Sequence, residues 1–461
     1  MASSPLHVVI LAAGKGTRML SRLPKVLHPI GGQPMLAHVL DTARELSAAA
    51  CHVVHGHGAE AVRAWHQQAR PAEKNVHWVL QAEQNGTGHA VQLALADIPD
   101  NATVLVLYGD VPLLRAATLA PLIPLKGLGV LTANLDHPKG YGRILRESDG
   151  AIVGIVEEND CTPEQAAIAE VNTGILVASS RLLKRWTARL KNSNAKKEYY
   201  LTDIVAMAAK DGVEVTGLQA QAQTEIFGVN DRVQLAQAER MFQRRQADEL
   251  MHHGLTLRDP QRFDLRGRLR FGADVTLDVG VVLEGEVKLG EGVYVGPYSV
   301  LKDVHLGAGT RVESHCVLES TRAGSDCRIG PFARLRPGAV LADEVHIGNF
   351  VEVKKSALGK SSKANHLAYI GDATVGERVN IGAGTITVNY DGADKHQTVI
   401  EDDVHIGSDV QLIAPVTVGK GATVGAGSTI TRSVPPGGLT VCRAKDMKTY
   451  PDWKRPQKKT P

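Results

Sequence analysis

From Ile400 to Ile430 a branched apolar residue returns at every sixth position: Ile400, Ile406, Leu412, Val418, Val424 and Ile430. The same step runs through Leu277, Leu283, Leu289, Val295 and Leu301, and again through Ile329, Leu335, Leu341, Ile347 and Val353. Neither the 3.6-residue helix nor the two-residue strand explains a period of six. A coil of very short strands joined by tight corners does, because each hexad then supplies one inward aliphatic. Glycine commonly follows that residue, as in Leu289-Gly290, Ile347-Gly348 and Ile406-Gly407, and relieves the backbone at the corner. One coil cannot bury its aliphatics alone, so several must stack. The C-terminal half therefore reads as a parallel β-helix of hexapeptide repeats.

A chain of 461 residues exceeds what one hydrophobic core normally holds, so further domains are expected. In the first half, apolar runs such as Val8–Leu11, Cys51–Val54 and Val104–Tyr108 end in polar or glycine-rich turns. Helical patterns, for example Pro34–Ala49 and Gly88–Ala96, lie between them. That alternation predicts an α/β unit with a parallel sheet covered on both faces. Residues 231–253 hold no Gly or Pro and read as one long helix, with Gly254 as its stop. The expected division is residues 1–232, a linker helix over 233–253, and the solenoid over 254–461. The sixfold step is expected to fail near Leu358–Tyr369 and Val388–Thr398, and such interruptions usually become loops that carry binding chemistry.

The net charge of +3 is too small to point to nucleic acid or a membrane surface. Five cysteines, odd in number and without CxxC spacing, suit a reduced cytoplasmic compartment. No stretch approaches the roughly 20 apolar residues of a membrane span.

Chemistry in the first half is concentrated in two motifs. Leu11-Ala12-Ala13-Gly14-Lys15-Gly16-Thr17-Arg18 follows a buried strand directly, at what reads as a strand-to-helix junction. Its glycines clear the way for backbone N–H groups to face phosphates, and Lys15, Arg18 and the later Lys25 can neutralise a triphosphate. The spacing matches neither Walker A nor the dinucleotide fingerprint, so a plain tight turn remains the alternative. Leu105-Val106-Leu107-Tyr108-Gly109-Asp110 then places a carboxylate at the carboxyl end of a strand, where open α/β sheets bind ligands. Mg²⁺ is held by one or two carboxylates plus phosphate oxygens, which makes Asp110 a candidate ligand, against a turn cap before Val111-Pro112. Together the motifs point to phosphoryl or nucleotidyl transfer.

LAAGKGTRM, LPKVL, QAEQNGTGHA, LYGDVPL and GYGRI resemble the sugar-1-phosphate nucleotidyltransferases. With the hexapeptide half attached, the chain resembles the bacterial bifunctional N-acetylglucosamine-1-phosphate uridyltransferase/glucosamine-1-phosphate acetyltransferase family. The resemblance implies a Rossmann-like nucleotidyltransferase domain, a linker helix and a left-handed parallel β-helix. It implies Mg²⁺-dependent attack of N-acetylglucosamine 1-phosphate on the α-phosphorus of UTP. By the same resemblance Leu11, Ala12, Ala13, Gly14 and Lys25 hold nucleotide and phosphates, while Gln81, Gly86 and Thr87 read the uracil. Tyr108 and Gly109 flank Asp110; Gly142, Glu157 and Asn172 hold the sugar; Asn230 joins Asp110 at the metal.

Polar residues around the solenoid's expected breaks need an explanation that the repeat does not give. Arg336 and Lys354 put cations on coil surfaces, fit to grip a sugar phosphate. His366, in Asn365-His366-Leu367, is the candidate general base at the first break. The resemblance makes His366 the group that deprotonates the glucosamine amine for attack on acetyl-CoA. It assigns Arg336, Lys354, Tyr369 and Asn380 to the sugar phosphate, and Ala383, Asn389, Tyr390, Ser408, Ala426 and Arg443 to acetyl-CoA. It also implies a homotrimer with acetyl-CoA between chains. Three rival readings stay open on residues alone: a nucleotidyltransferase whose solenoid only oligomerises or regulates, a zinc enzyme using His315, His346 and His405, and a non-enzymatic binding scaffold.

Overall fold

The computed structural model describes residues 4–56, 58–194 and 196–442. The chain forms two compact units, residues 1–242 and 243–461. A helix over Arg232–His252 contains that division, and Gly254 follows it at φ +98°.

The first unit is built on seven principal strands: β1 (Leu6–Ala12), β2 (Ala50–His55), β3 (Val76–Leu80), β4 (Thr103–Tyr108), β5 (Leu128–Asn134), β6 (Glu170–Ser179) and β7 (Val215–Gln219). Their order is β7-β5-β6-β4-β1-β2-β3, parallel except for β6, which runs against both neighbours. Alternating side chains of β1 feed opposite cores. Val8 and Ile10 pack with Leu36, Val39 and Leu40 of helix α1 (Met35–Glu45), whereas Val9 packs with Ala90, Val91 and Ala94 of α2 (Thr87–Leu95). Burial on both faces explains why these strands read as continuous apolar runs. The carboxyl ends of β1 and β4 lie side by side, with Leu11 opposite Tyr108. That adjacency brings the two motifs together.

In the second unit a coil has three faces and most coils give a short strand to each; in the first two, Asp264–Phe271 and Val282–Leu289 each run over two faces. One face stacks Leu277, Val295, Val312, Ile329, Ile347, Ala364, Ile381, Ile406 and Val424 in parallel register. All nine are buried, and the inward residues of the three faces make one continuous core. Partners on successive coils are 17 or 18 residues apart, as for Val312 and Ile329 or Ile329 and Ile347. The interruption expected at Leu358–Tyr369 does not occur: Leu358, Ala364 and Ile370 point inward at an unbroken sixfold step. The small Ala364 hides it, because a search for branched residues passes over an alanine. The expected break at Val388–Thr398 is present. Thr374 pairs with Val399, 25 residues away, so eight residues more than the 17-residue coil leave the prism as a loop.

Candidate active site

Two constellations arise, one in each unit. In the first, Leu11, Ala12, Ala13 and Gly14 at the end of β1 face Gln81, Gly86 and Thr87, with Tyr108 and Asp110 at the end of β4. They line a cleft of about 270 Å³ to which Gln84 and Glu198 also contribute. Gly14 would meet nothing within 4 Å if it carried a Cβ, so its backbone is open to a ligand. The glycine-rich segment does not enter a long helix. It makes a single 3-10 turn over Thr17–Met19, ended by Leu20 at φ +48° ahead of Pro24. Loop N–H groups and cations, rather than a helix dipole, are what this segment offers a phosphate. Lys15 and Arg18 are exposed at its edge.

Lys25 reaches into the cleft. Its ammonium pairs with the Asp110 carboxylate and donates to Asn230 Oδ1 at 3.0 Å. One cation thus already lies between the carboxylate and the amide oxygen, and these hard oxygen donors suit Mg²⁺. The Val229 N–H donates to the Asp110 carbonyl (2.9 Å), which holds the Asn230 segment beside β4. Desolvation pushes the Tyr108 phenol up, and the nearby carboxylates Glu157 and Asp110 push it further. Glu157 accepts the Thr202 hydroxyl (2.9 Å), a Cβ on Gly142 would stand 3.5 Å from the Glu157 carboxylate, and the Asn172 N–H donates to the Gly142 carbonyl (2.8 Å), so the three sugar candidates cluster, with Glu157 near Tyr108. Gln81 donates to the Gly86 carbonyl (3.1 Å), which ties together the segments assigned to the base. Gln84, Glu198 and Thr202 escaped the sequence reading. Gln84 lies inside a quoted motif, but no spacing marks the other two.

In the second unit the equivalent corner of successive coils carries Asn349, His366, Ala383, Ser408 and Ala426. Each stands two residues after an inward aliphatic or alanine. The carbonyls of Asn349, His366, Ala383 and Ser408 each accept an N–H from the coil above: Leu367 (3.1 Å), Gly384 (3.3 Å), Asp409 (2.7 Å) and Gly427 (2.9 Å). His366, Ala383, Ser408 and Ala426, singled out separately in the sequence, therefore share one ladder with Asn349, which alignment of the hexads would have revealed. His366 is exposed, and its Nδ1 faces Asn349 Oδ1 at 2.9 Å.

On the adjoining face Arg336 donates to Glu352 (2.8 Å), with Tyr369 close enough to affect it. Lys354 lies beside Lys395, whose ammonium it destabilises, so Lys395 titrates below the ordinary lysine range. Two cations side by side suit an anion, and Lys395 is the partner that the sequence did not reveal. Asn389 donates to Asp372, Tyr390 donates to the Gly392 carbonyl (2.7 Å), and Asn380 contacts His405 (3.3 Å). Asp391 is held at about 2, first by the hydrogen bond from His396. Arg443 lies outside the described residues.

Residues 8–151 match the MobA-like NTP transferase domain, and residues 397–432 match the bacterial transferase hexapeptide repeats. A "Bifunctional protein GlmU" of Alkalilimnicola ehrlichii is 57% identical over 453 residues, covering 98% of this chain and 96% of that one. The chain belongs to the GlmU family. The GlmU proteins of Stenotrophomonas maltophilia and Cupriavidus pinatubonensis are 56% and 55% identical. The first alignment covers 99% of this chain and 100% of that protein; the second covers 98% and 99%. Membership of a family of bifunctional proteins fits two separate constellations, one in the NTP transferase unit and one on the hexapeptide solenoid. The rival zinc reading fails on register. His346 and His405 are three coils apart through Lys363 and Asn380, roughly 14 Å at the usual strand spacing. Among the described residues no group of three or more His, Cys, Asp or Glu is placed to hold a metal. Nor is any described helix long and apolar enough to cross a membrane.

Proposed function

We propose that the chain makes UDP-N-acetylglucosamine in two steps, acetyl transfer on the solenoid and uridylyl transfer in the first unit. The product would feed peptidoglycan and lipopolysaccharide precursors in the cytoplasm. The observation that carries this reading is the pairing of His366 with Asn349 at the equivalent corners of successive coils, with Arg336, Lys354 and Lys395 on the adjoining face. A solenoid that served only to oligomerise has no use for such a group.

In the first step the cations grip the phosphate of glucosamine 1-phosphate, with Tyr369 and Asn380 completing the sugar site. His366 Nε2 takes a proton from the attacking amine as nitrogen adds to the thioester carbonyl. The C–S bond then breaks, and the imidazolium returns the proton to the departing thiolate of CoA. Acetyl-CoA lies along the ladder of Ala383, Ser408 and Ala426, with Asn389 and Tyr390 at the extruded loop. Arg443 and a neighbouring chain of a homotrimer complete that site.

In the second step an oxygen of the N-acetylglucosamine 1-phosphate phosphoryl group attacks the α-phosphorus of UTP, and pyrophosphate leaves. Positioning and charge neutralisation supply most of the rate. Gln81, Gly86 and Thr87 hold the uracil, Gly142, Glu157 and Asn172 hold the sugar, and Lys25 with the Leu11–Gly14 backbone holds the phosphates. Asp110 and Asn230 would hold Mg²⁺, which neutralises phosphate charge when bound. Residues 233–253 serve as the link between the two domains.

Incubation with glucosamine 1-phosphate, acetyl-CoA, UTP and Mg²⁺ tests the reading. Free thiol and pyrophosphate should both appear, and loss of acetyl-CoA should abolish both. No thiol release, with pyrophosphate appearing only when N-acetylglucosamine 1-phosphate is supplied directly, would leave the solenoid without an enzymatic role.

A further inference from the structure

The proposed chemistry uses His366 but gives Asn349 no step of its own. It stands on the strand His346–Asn349, paired in register with His366 on the next coil, and its side-chain oxygen lies 2.9 Å from His366 Nδ1. Its carbonyl also accepts the N–H of Leu367 at 3.1 Å, and Leu367 turns the corner directly after His366 at φ +49°. One residue thus grips both the ring and the backbone that carries it. Gly348 allows the close approach, since a Cβ there would come within 2.0 Å of the Asn365 carbonyl oxygen.

An amide oxygen only accepts hydrogen bonds. With that oxygen facing it, Nδ1 is the nitrogen that carries the hydrogen, and Nε2 is left with its lone pair. Free histidine in water favours the opposite tautomer, and His366 is exposed. Left to solvent, the ring would present the wrong nitrogen for much of the time.

We propose that Asn349 is the positioning residue for His366, holding the Nδ1–H tautomer and aiming a bare Nε2 at the substrate amine. This rests on the reading of His366 as the base. The choice of an amide has its own chemical sense. A carboxylate in its place would stabilise the imidazolium formed on proton uptake and would slow return of that proton to the CoA thiolate. The carboxylate on the neighbouring face, Glu352, is engaged by Arg336. His346, on the strand of Asn349, interacts with His366 and with Lys363 on the strand of His366, and His405 stands beyond Asn380; none of these three is an acid.

The test compares Asn349→Ala, Asn349→Asp and His366→Ala in the full-length protein, with thiol release followed across pH. Asn349→Ala should lower kcat for acetyl transfer by about ten- to a hundredfold, the range for losing a partner that orients a histidine. The KM values for acetyl-CoA and glucosamine 1-phosphate should stay within about twofold, because the inferred loss lies in aim and not in binding. Asn349→Asp should keep the orientation and recover most of the activity, while the acidic limb of the pH profile moves up by about one pH unit. Side-chain ¹⁵N shifts of His366 should report the Nδ1–H form in the parent and a mixture in Asn349→Ala. Parent-level kcat in Asn349→Ala, or an unmoved limb in Asn349→Asp, overturns the inference. If His366→Ala retains acetyl transfer, the base reading falls and takes the inference with it. If His366→Ala is dead while Asn349→Ala is unaffected, only the inference falls.

Discussion

Gly348→Ala is a small change whose effect follows from coil spacing. The added Cβ would lie 2.0 Å from the Asn365 carbonyl oxygen and 2.7 Å from its Cα, where ordinary contact begins at 3.4 Å. The colliding atoms are backbone on both sides, so no side chain can swing away. Relief needs about 1.4 Å of separation between coils that normally stack about 4.8 Å apart. The cost in stability should be about 1–3 kcal/mol, the usual range for overpacking. Activity should fall as well, because the shift comes between Asn349 and His366. A misplacement of about 1 Å can cost about a hundredfold in rate. Gly438 is the control: a Cβ there meets nothing within 4 Å, and its backbone is not in the left-handed region. The assay is thiol release for acetyl transfer and pyrophosphate release for uridylyl transfer, on the same preparations. Gly348→Ala should lose about a hundredfold in the first and nothing in the second, and Gly438→Ala should change neither. Acetyl transfer within threefold of the parent, with an unchanged melting temperature, would show that the coil corner is more compliant than this geometry allows.

Three further outcomes can be checked. Asp110→Asn should reduce pyrophosphate release by about a hundredfold or more and leave acetyl transfer intact; equal loss of both would refute the separation of sites. His52 is buried, and desolvation, aided by His77 and His7, lowers it to about 4 from 6.5. A histidine depressed on folding is stabilising above its unfolded value, and that stability drains away as pH falls from 6.5 toward 4. The loss should reach about 2 kcal/mol by pH 5. A thermal melt of His52→Leu should therefore depend less on pH over that window, and an equal dependence would rule His52 out as the source. Burial pushes the Cys51 thiol up to about 12 and Cys316 to about 11, and Cys327 is raised for the same reason. In the native protein an aromatic disulfide reagent should react first with exposed Cys442, with half-buried Cys161 slower and the other three only after unfolding.

The solenoid was legible because its period is set by geometry that tolerates little else: one inward side chain per face, coil after coil. Legibility ended where the inward residue shrank to Ala364, which made an intact coil look like a break. The sheet of the first unit could be read from buried apolar runs, but not the reversed direction of β6, since a buried strand looks alike in either sense. Leu11–Gly14 and Asp110 were visible because they stand at strand ends, where backbone and carboxylate have a local signature. Glu198, Thr202 and Lys395 were not, because long-range packing brings them to their sites and no neighbour in sequence announces it. Asn349 is the intermediate case. Its place is implied by aligning hexads, but its contact with His366 needs the third dimension.

The 25-residue coil that carries the 388–398 segment has a consequence beyond this one loop. In the first unit, lengthening a strand would displace partners far away in sequence, as β1 depends on β4 nearly a hundred positions later. In the solenoid, extra residues leave at a corner and the next strand lands where it would have landed anyway. Length there is a free variable, uncoupled from the register of the core. A lineage can therefore lengthen, trim or replace the segment that carries Asn389 and Tyr390 and so revise what the site accepts, while every rung above and below keeps its neighbour.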